Sequence, residues 1–162
     1  MGTLADSLVR LATERGVTFG TAESCTGGLI AATVTGVSGA SACFFGGVVS
    51  YDNSVKRGLL GVREETLARV GAVSEETACE MAAGALSALG VDYAVSVTGI
   101  AGPGGGTPEK PVGLVYIAAA GKDGSPVCER HHFEGDRMQV RLQTAEAALK
   151  LLLSVVESGR KA

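Results

Sequence analysis

The residues Thr21-Ala22-Glu23-Ser24-Cys25-Thr26-Gly27-Gly28 lie between an apolar run beginning at Val17 and the helix-forming Leu29-Ile30-Ala31-Ala32, and their reading decides the fold. They form a strand-to-helix junction that carries a hydroxyl. At such a junction the first backbone N–H groups of the helix lack partners, and their partial positive charge points back at the preceding residues. Ser24 is therefore expected beside an anion site. Gly27 and Gly28, having no Cβ, would let a ligand or a developing oxyanion approach the backbone closely. A Ser or Thr acting only as a helix N-cap would look the same over this stretch.

On either side, the hydrophobic periodicity alternates between helix and strand. Leu4, Leu8, Leu11 and Ala12 recur at helical spacing, with Thr3 as the expected cap and Gly16 as the stop. Val17 to Ala22 reads as a strand, Gly27 to about Val37 as a helix, and Phe44 to Tyr51 as a second strand ending in the polar cluster Ser50-Tyr51-Asp52-Asn53. A helical stretch Val55 to Leu60 follows, then a short helix from Glu64 to Val70 and a longer one opened by Ser74-Glu75-Glu76 and closed by Gly90. Its small residues, among them Ala78, Ala82 and Ala85, suggest close packing on a sheet. Asp92 to Thr98 is a buried strand that leads into Gly99 to Gly113, too rich in Gly and Pro for a regular element. Val112 to Ala120 and Val127 to Phe133 make an antiparallel hairpin. Asp136, with Gln139 three residues on, caps a last helix whose buried face is Ala145, Ala148, Leu149, Leu152, Leu153 and Val156. The pattern predicts a single α/β/α layered domain over residues 1–162, with a mixed sheet of about five strands, a terminal hairpin and a C-terminal helix.

Composition narrows the function. With 46% apolar and 19% charged residues, the chain is expected to be compact. A net charge of −3 and the lack of any Lys/Arg-rich run argue against nucleic acid as a partner. No apolar run is long enough to cross a bilayer and the first residues show no leader pattern, so no membrane association and a cytoplasmic location are expected. Cys25, Cys43, Cys79 and Cys128 contain no C-x-x-C pair, so they are expected as reduced thiols, with no metal and no cofactor. The 24 glycines, about twice the usual share, gather at element ends, where ligand loops form.

Three strand-end loops carry the polar chemistry: Glu23 to Gly28, Tyr51 to Lys56, and Thr98 to Gly113. Serine needs a base to become a nucleophile, and Lys56 is the candidate. His131 and His132 are neighbours on a predicted strand, face opposite ways, and are expected in structural or surface roles. Cys25 is the rival nucleophile, but as Ser24's neighbour it is expected to point into the core. Glu23 could contact substrate or support the turn. Tyr51 and Asn53 could orient the lysine or a bound amide. The third loop fits neither the Walker pattern nor G-x-G-x-x-G. It supplies Thr98, Gly99, Gly102, Gly104 and Gly105, with Lys110 nearby, a run of amides suited to phosphate or carboxylate.

Thr21 to Gly28, Ser50-Tyr51-Asp52-Asn53-Ser54-Val55-Lys56, Gly71-Ala72-Val73-Ser74-Glu75, Gly99-Ile100-Ala101-Gly102-Pro103 and Lys110-Pro111-Val112-Gly113 together resemble the CinA C-terminal domain family, the nicotinamide-nucleotide amidohydrolases. The resemblance spans nearly the whole chain in order. It implies hydrolysis of the carboxamide of nicotinamide mononucleotide to nicotinate mononucleotide and ammonia, with Ser24 as nucleophile, Lys56 as general base and Tyr51 as the hydrogen-bonding partner of the pair. It also implies a homo-oligomer, most simply a dimer. Glu23, Thr26, Gly27, Gly28, Asn53, Thr98, Gly99, Gly102, Gly104, Gly105 and Lys110 are the expected substrate-binding set. The other reading is a nucleotide- or phosphate-binding module of the same fold that turns nothing over. It would leave the Ser24 hydroxyl and the Lys56 ammonium more than about 4 Å apart, beyond the reach of a base.

Overall fold

The computed structural model describes residues 1–159. Helix α1 (Gly2–Arg15) precedes β1 (Phe19–Glu23) and α2 (Leu29–Thr35); a 3-10 turn then leads to β2 (Phe44–Val49), α3 (Asn53–Leu60), α4 (Glu64–Val70) and α5 (Glu75–Leu89). Strands β3 (Tyr93–Gly99), β4 (Leu114–Gly121) and β5 (Val127–His132) and helix α6 (Arg137–Ser158) complete it. The sheet order is β2-β1-β3-β4-β5. β1 runs parallel to both β2 and β3, and the antiparallel pairs are β3 with β4 and β4 with β5. The expected mixed sheet and hairpin are present. The antiparallel joint between β3 and β4 was not part of the expectation. Among the described residues no helix is long and apolar enough to cross a membrane.

Side-chain size on the two sheet faces explains the layers. Val95, Val97, Val115, Ile117 and Ala119 point to one side, where they join Leu8, Ile30, Leu149 and Leu152 of α1, α2 and α6 in one core. Burying each such Leu contributes about 1.5–3 kcal/mol. Their neighbours Ala94, Ala118 and Ala120 face α5 instead. That small-residue face lets α5 come close enough for the buried Ser96 hydroxyl to donate to the Ala78 carbonyl at 2.6 Å. Further along α5, a Cβ on Gly84 would fall 1.8 Å from the Leu60 carbonyl oxygen, so glycine is required where the end of α3 packs on it.

Several boundaries differ from the sequence expectation. α1 starts at Gly2 with Met1 at its cap, so Thr3 lies inside the helix and caps nothing, while Gly16 ends it in the left-handed region at φ 65°. β2 stops at Val49, which leaves Ser50 to Asp52 as a connection rather than strand. α2 opens at Leu29, because Gly27 and Gly28 both have positive φ and make a turn that L-side chains disfavour. The Asp136 and Gln139 capping box at the start of α6 is present as expected.

Strand direction positions the site. β1, β2 and β3 all end at one edge of the sheet. β4 begins there, since Val115 pairs with Gly99. β5 also ends there, with His132 opposite Leu114, so the start of α6 is delivered to the same edge.

Candidate active site

Ser24 follows the last residue of β1 and is 8% exposed. Lys56 enters from α3. Asp52 caps that helix, accepting from the Ser54 amide at 2.9 Å and its hydroxyl at 2.6 Å, which fixes the first turn. Lys56 and Leu60, four residues apart, then share the buried stripe of α3. The Lys56 Nζ lies 3.0 Å from the Ser24 Oγ, 2.7 Å from the Ser50 carbonyl and 3.2 Å from the Tyr51 carbonyl.

This geometry suits a base. A neutral lysine amine has two N–H bonds and one lone pair; with its hydrogens on the two carbonyls, the lone pair is left for the serine hydroxyl. Lys56 is 1% exposed. Burial pushes its ammonium below the ordinary lysine value, while the Asp52 carboxylate pulls weakly the other way. The neighbouring Cys25 is 6% exposed, and burial pushes its thiol up to about 11, so near neutral pH it is a protonated core residue and not a thiolate. All four cysteines are free thiols.

A cavity of about 290 Å³ opens over the pair. It is lined by Ser24, Cys25, Tyr51, Asn53, Lys56, Thr98, Gly99, Gly102, Gly104 and Gly105, and also by Ala72, Val73 and Arg137. Thr98 is 1% exposed and donates to the Ala72 carbonyl at 2.8 Å, tying β3 to the turn before α5. The amides of Cys25, Ala101, Gly102, Gly104 and Gly105 donate to no acceptor among the described residues.

Several expected residues do other work. The Glu23 carboxylate is 1% exposed and accepts from the Thr26 hydroxyl (2.6 Å) and from the amides of Gly28 (3.2 Å), Ile30 (2.9 Å) and Ala31 (3.0 Å). The start of α2 therefore already holds an anion, and it belongs to the protein. Gly27 donates to the Ser24 carbonyl at 3.0 Å. Glu23, Thr26, Gly27 and Gly28 thus build the turn that carries Ser24 and do not line the cavity, contrary to the expected substrate-binding set. Lys110 is also outside it: its ammonium donates to the Val70 carbonyl, and it lines a separate groove with Arg69 and Arg130. The Tyr51 phenol does not reach Lys56 either. Only the Tyr51 carbonyl does, while its hydroxyl accepts from Arg137 at 3.0 Å. His131 lies against Glu129 and Phe133, and His132 against the Val112 carbonyl.

Two arginines of α6 were not anticipated. Arg141 donates to the carbonyls of Cys25 (3.2 Å) and Thr26 (2.9 Å), bracing the turn after Ser24. Arg137 donates to the Gly102 carbonyl at 2.7 Å and lines the cavity. Their i, i+4 spacing at the start of a capped helix was the only available signal, and it looks like any solvated helix face.

The family model for the CinA C-terminal domain matches residues 1–156. This chain belongs to the CinA C-terminal domain family. A CinA-like protein of Leptospira borgpetersenii is 57% identical over 147 residues, 91% of this chain but 35% of that protein, so the chain spans about a third of the length of such relatives. The nicotinamide-nucleotide amidohydrolase PncC of Escherichia coli is 54% identical over 138 residues, covering 85% of this chain and 84% of that one. Among solved structures, the competence/damage inducible protein CihA of Agrobacterium tumefaciens superposes with a TM-score of 0.93 at 45% identity, covering 95% and 94% of the two chains. A CinA superfamily protein of Klebsiella pneumoniae gives 0.93 at 36% identity, covering 98% of each chain. The mixed sheet with helices on both faces is the CinA C-terminal domain fold.

Proposed function

We propose that this chain hydrolyses the carboxamide of nicotinamide mononucleotide, releasing ammonia and nicotinate mononucleotide. The observation that carries the reading is the buried 3.0 Å contact between the Lys56 amine and the Ser24 hydroxyl, within the reach a base needs. The similarity to chains named nicotinamide-nucleotide amidohydrolase supplies the substrate.

In the proposed sequence, neutral Lys56 takes the Ser24 proton as Oγ attacks the carboxamide carbon. The carbonyl electrons move to oxygen, and the oxyanion is met by partnerless amides at the cavity, with that of Cys25, next to the nucleophile, the first candidate. The Lys56 ammonium returns the proton to the amide nitrogen, ammonia leaves, and an ester to Ser24 remains. Water, deprotonated by Lys56, attacks that ester; the acid is released and Ser24 recovers its proton. No histidine takes part. Asn53 lines the cavity, and its side-chain amide can hold the substrate's carboxamide. The Glu23-stapled turn acts earlier, by fixing where Oγ stands.

The single-domain organisation, the cytoplasmic location and a homodimer are proposed with this reading; light scattering at micromolar concentration tests the dimer, and a monomer mass rejects it. The central experiment is ammonia release from nicotinamide mononucleotide by the purified chain, with nicotinate mononucleotide identified chromatographically. Stoichiometric binding without release of either product would favour the non-catalytic nucleotide-binding module.

A further inference from the structure

Lys110 belongs to the glycine-rich stretch but lies outside the cavity, and its ammonium ends on the Val70 carbonyl, the last of α4. Carbonyls at a helix end have no partner inside the helix, and a lysine ammonium is suited to take one. The two carbonyls that follow are taken as well. That of Gly71 accepts from the Ser74 hydroxyl at 3.0 Å and the Thr77 hydroxyl at 2.7 Å, and that of Ala72 accepts from Thr98 at 2.8 Å. The turn over residues 70–72 is therefore held at every carbonyl, and from it Ala72 and Val73 continue into the cavity wall. A Cβ on Gly71 would come 3.2 Å from the Lys110 Nζ, so glycine leaves the ammonium room.

Two of these bonds bracket the loop between β3 and β4. Thr98 stands at its start and Lys110 near its end, and both reach the same turn. Lys110 is also locked to Thr107: the Thr107 amide donates to the Lys110 carbonyl at 2.8 Å, and the Lys110 amide donates to the Thr107 hydroxyl at 3.0 Å. A grip at Lys110 thus reaches back along the loop. Between the anchors, Gly102, Gly104 and Gly105 line the cavity with amides that have no acceptor among the described residues. Glycine has the most conformational freedom to lose, so this arc would not hold its amides in place by itself. Arg137 supports its first part through the Gly102 carbonyl at 2.7 Å, and Lys110 its second.

We propose that Lys110 is a positioning residue: by hanging the glycine loop on the turn between α4 and α5, it fixes the cavity-facing amides of Gly104 and Gly105 without touching the substrate. A substrate that meets fixed donors does not have to order them, so the benefit falls on binding. Ser24 and Lys56 are set by other elements, the turn after β1 and helix α3, so the chemical step is left alone. The proposal deepens the amidohydrolase reading and rests on it for the substrate.

The test compares Lys110→Met, Lys110→Arg and Arg130→Gln with the wild type. It measures kcat and KM for nicotinamide mononucleotide, and the rate of proteinase K cleavage within residues 99–113, located by mass spectrometry. Lys110→Met keeps the apolar stem and removes the donor. Arg130 lines the same groove as Lys110 and controls for the loss of a positive charge there. Lys110→Met should raise KM roughly 10-fold and leave kcat within about threefold, as expected when one charge-assisted hydrogen bond is removed. Loop cleavage should speed up by a similar factor, because proteolysis follows the population of the open form. Lys110→Arg, which can still donate to the Val70 carbonyl, should recover part of both changes. Arg130→Gln should alter neither, and the rising limb of the pH profile should stay in place in every variant. A fall in kcat at unchanged KM, wild-type cleavage in Lys110→Met, or an equal effect of Arg130→Gln would overturn the proposal. If the wild type releases no ammonia, the amidohydrolase reading fails and the cleavage comparison alone decides whether Lys110 holds the loop. Ammonia release with wild-type KM and cleavage in Lys110→Met leaves that reading standing and removes this one.

Discussion

Two glycine-containing loops meet at the same sheet edge and treat their backbone amides in opposite ways. From the end of β1 into the first turn of α2, Gly27, Gly28, Ile30 and Ala31 donate within the protein, three of them to Glu23, while the Cys25 amide beside Ser24 does not. Between β3 and β4, the amides of Ala101, Gly102, Gly104 and Gly105 donate to nothing among the described residues. The first loop holds Ser24, the proposed nucleophile, whose position must be preorganised for that role. The second faces the cavity with donors to spare, as a ligand-binding loop must. Positive φ occurs in both loops, at Gly27 and Gly28 in the first and at Gly102 and Gly105 in the second, so what separates them is where their amides donate.

The largest effect is expected where the first loop meets Lys56. Ser24→Ala should lower ammonia release on the order of 10⁴-fold or more, and Lys56→Arg similarly, because arginine keeps the charge but cannot act as a base near neutral pH. The double variant should be little worse than either single one. Near-normal turnover in Lys56→Arg would make the lysine a mere anion holder.

Glu23→Gln tests whether the first loop is a scaffold. It removes a buried anion from the Thr26 hydroxyl and the amides of α2, and should cost about 2–4 kcal/mol in urea unfolding. A variant as stable as the wild type but with raised KM would return Glu23 to the substrate-binding set.

The pH profile sharpens the role of burial. Since burial lowers the Lys56 pKa, the neutral amine that the proposed mechanism needs is present above that depressed value and lost as pH falls through it. The rising limb of kcat/KM should thus have its midpoint below the free-lysine value of about 10.4. A midpoint at the free value would mean that Lys56 is solvated in the working enzyme.

The smallest effect belongs to the second loop. A Cβ on Gly104 meets nothing within 4 Å, so Gly104→Ala should change stability by no more than about 0.5 kcal/mol. A larger loss in urea unfolding would show that this loop is as internally built as the first.

The alternation of strand and helix was legible from sequence because caps, periodicity and glycine stops act over a few residues. Asp136 with Gln139, Ser74 before α5, and Gly16 and Gly90 after their helices are where the pattern put them. The placement of Ser24 beside a helix start and of Lys56 one turn into another was local in the same sense. What the sequence left open was which groups are already engaged. The Glu23 carboxylate could face outward or inward until the turn closed over it, and both choices have the same local sequence. Arg137 follows Tyr51 by 86 positions and Gly102 by 35, and meets them only because β5 runs in the same direction as β1, β2 and β3. Lys110 sits in the glycine-rich stretch yet its side chain leaves on the far side, toward Val70. Strand order and direction are properties of the whole sheet, set by pairings between segments far apart in sequence. They decide which charges share a cavity.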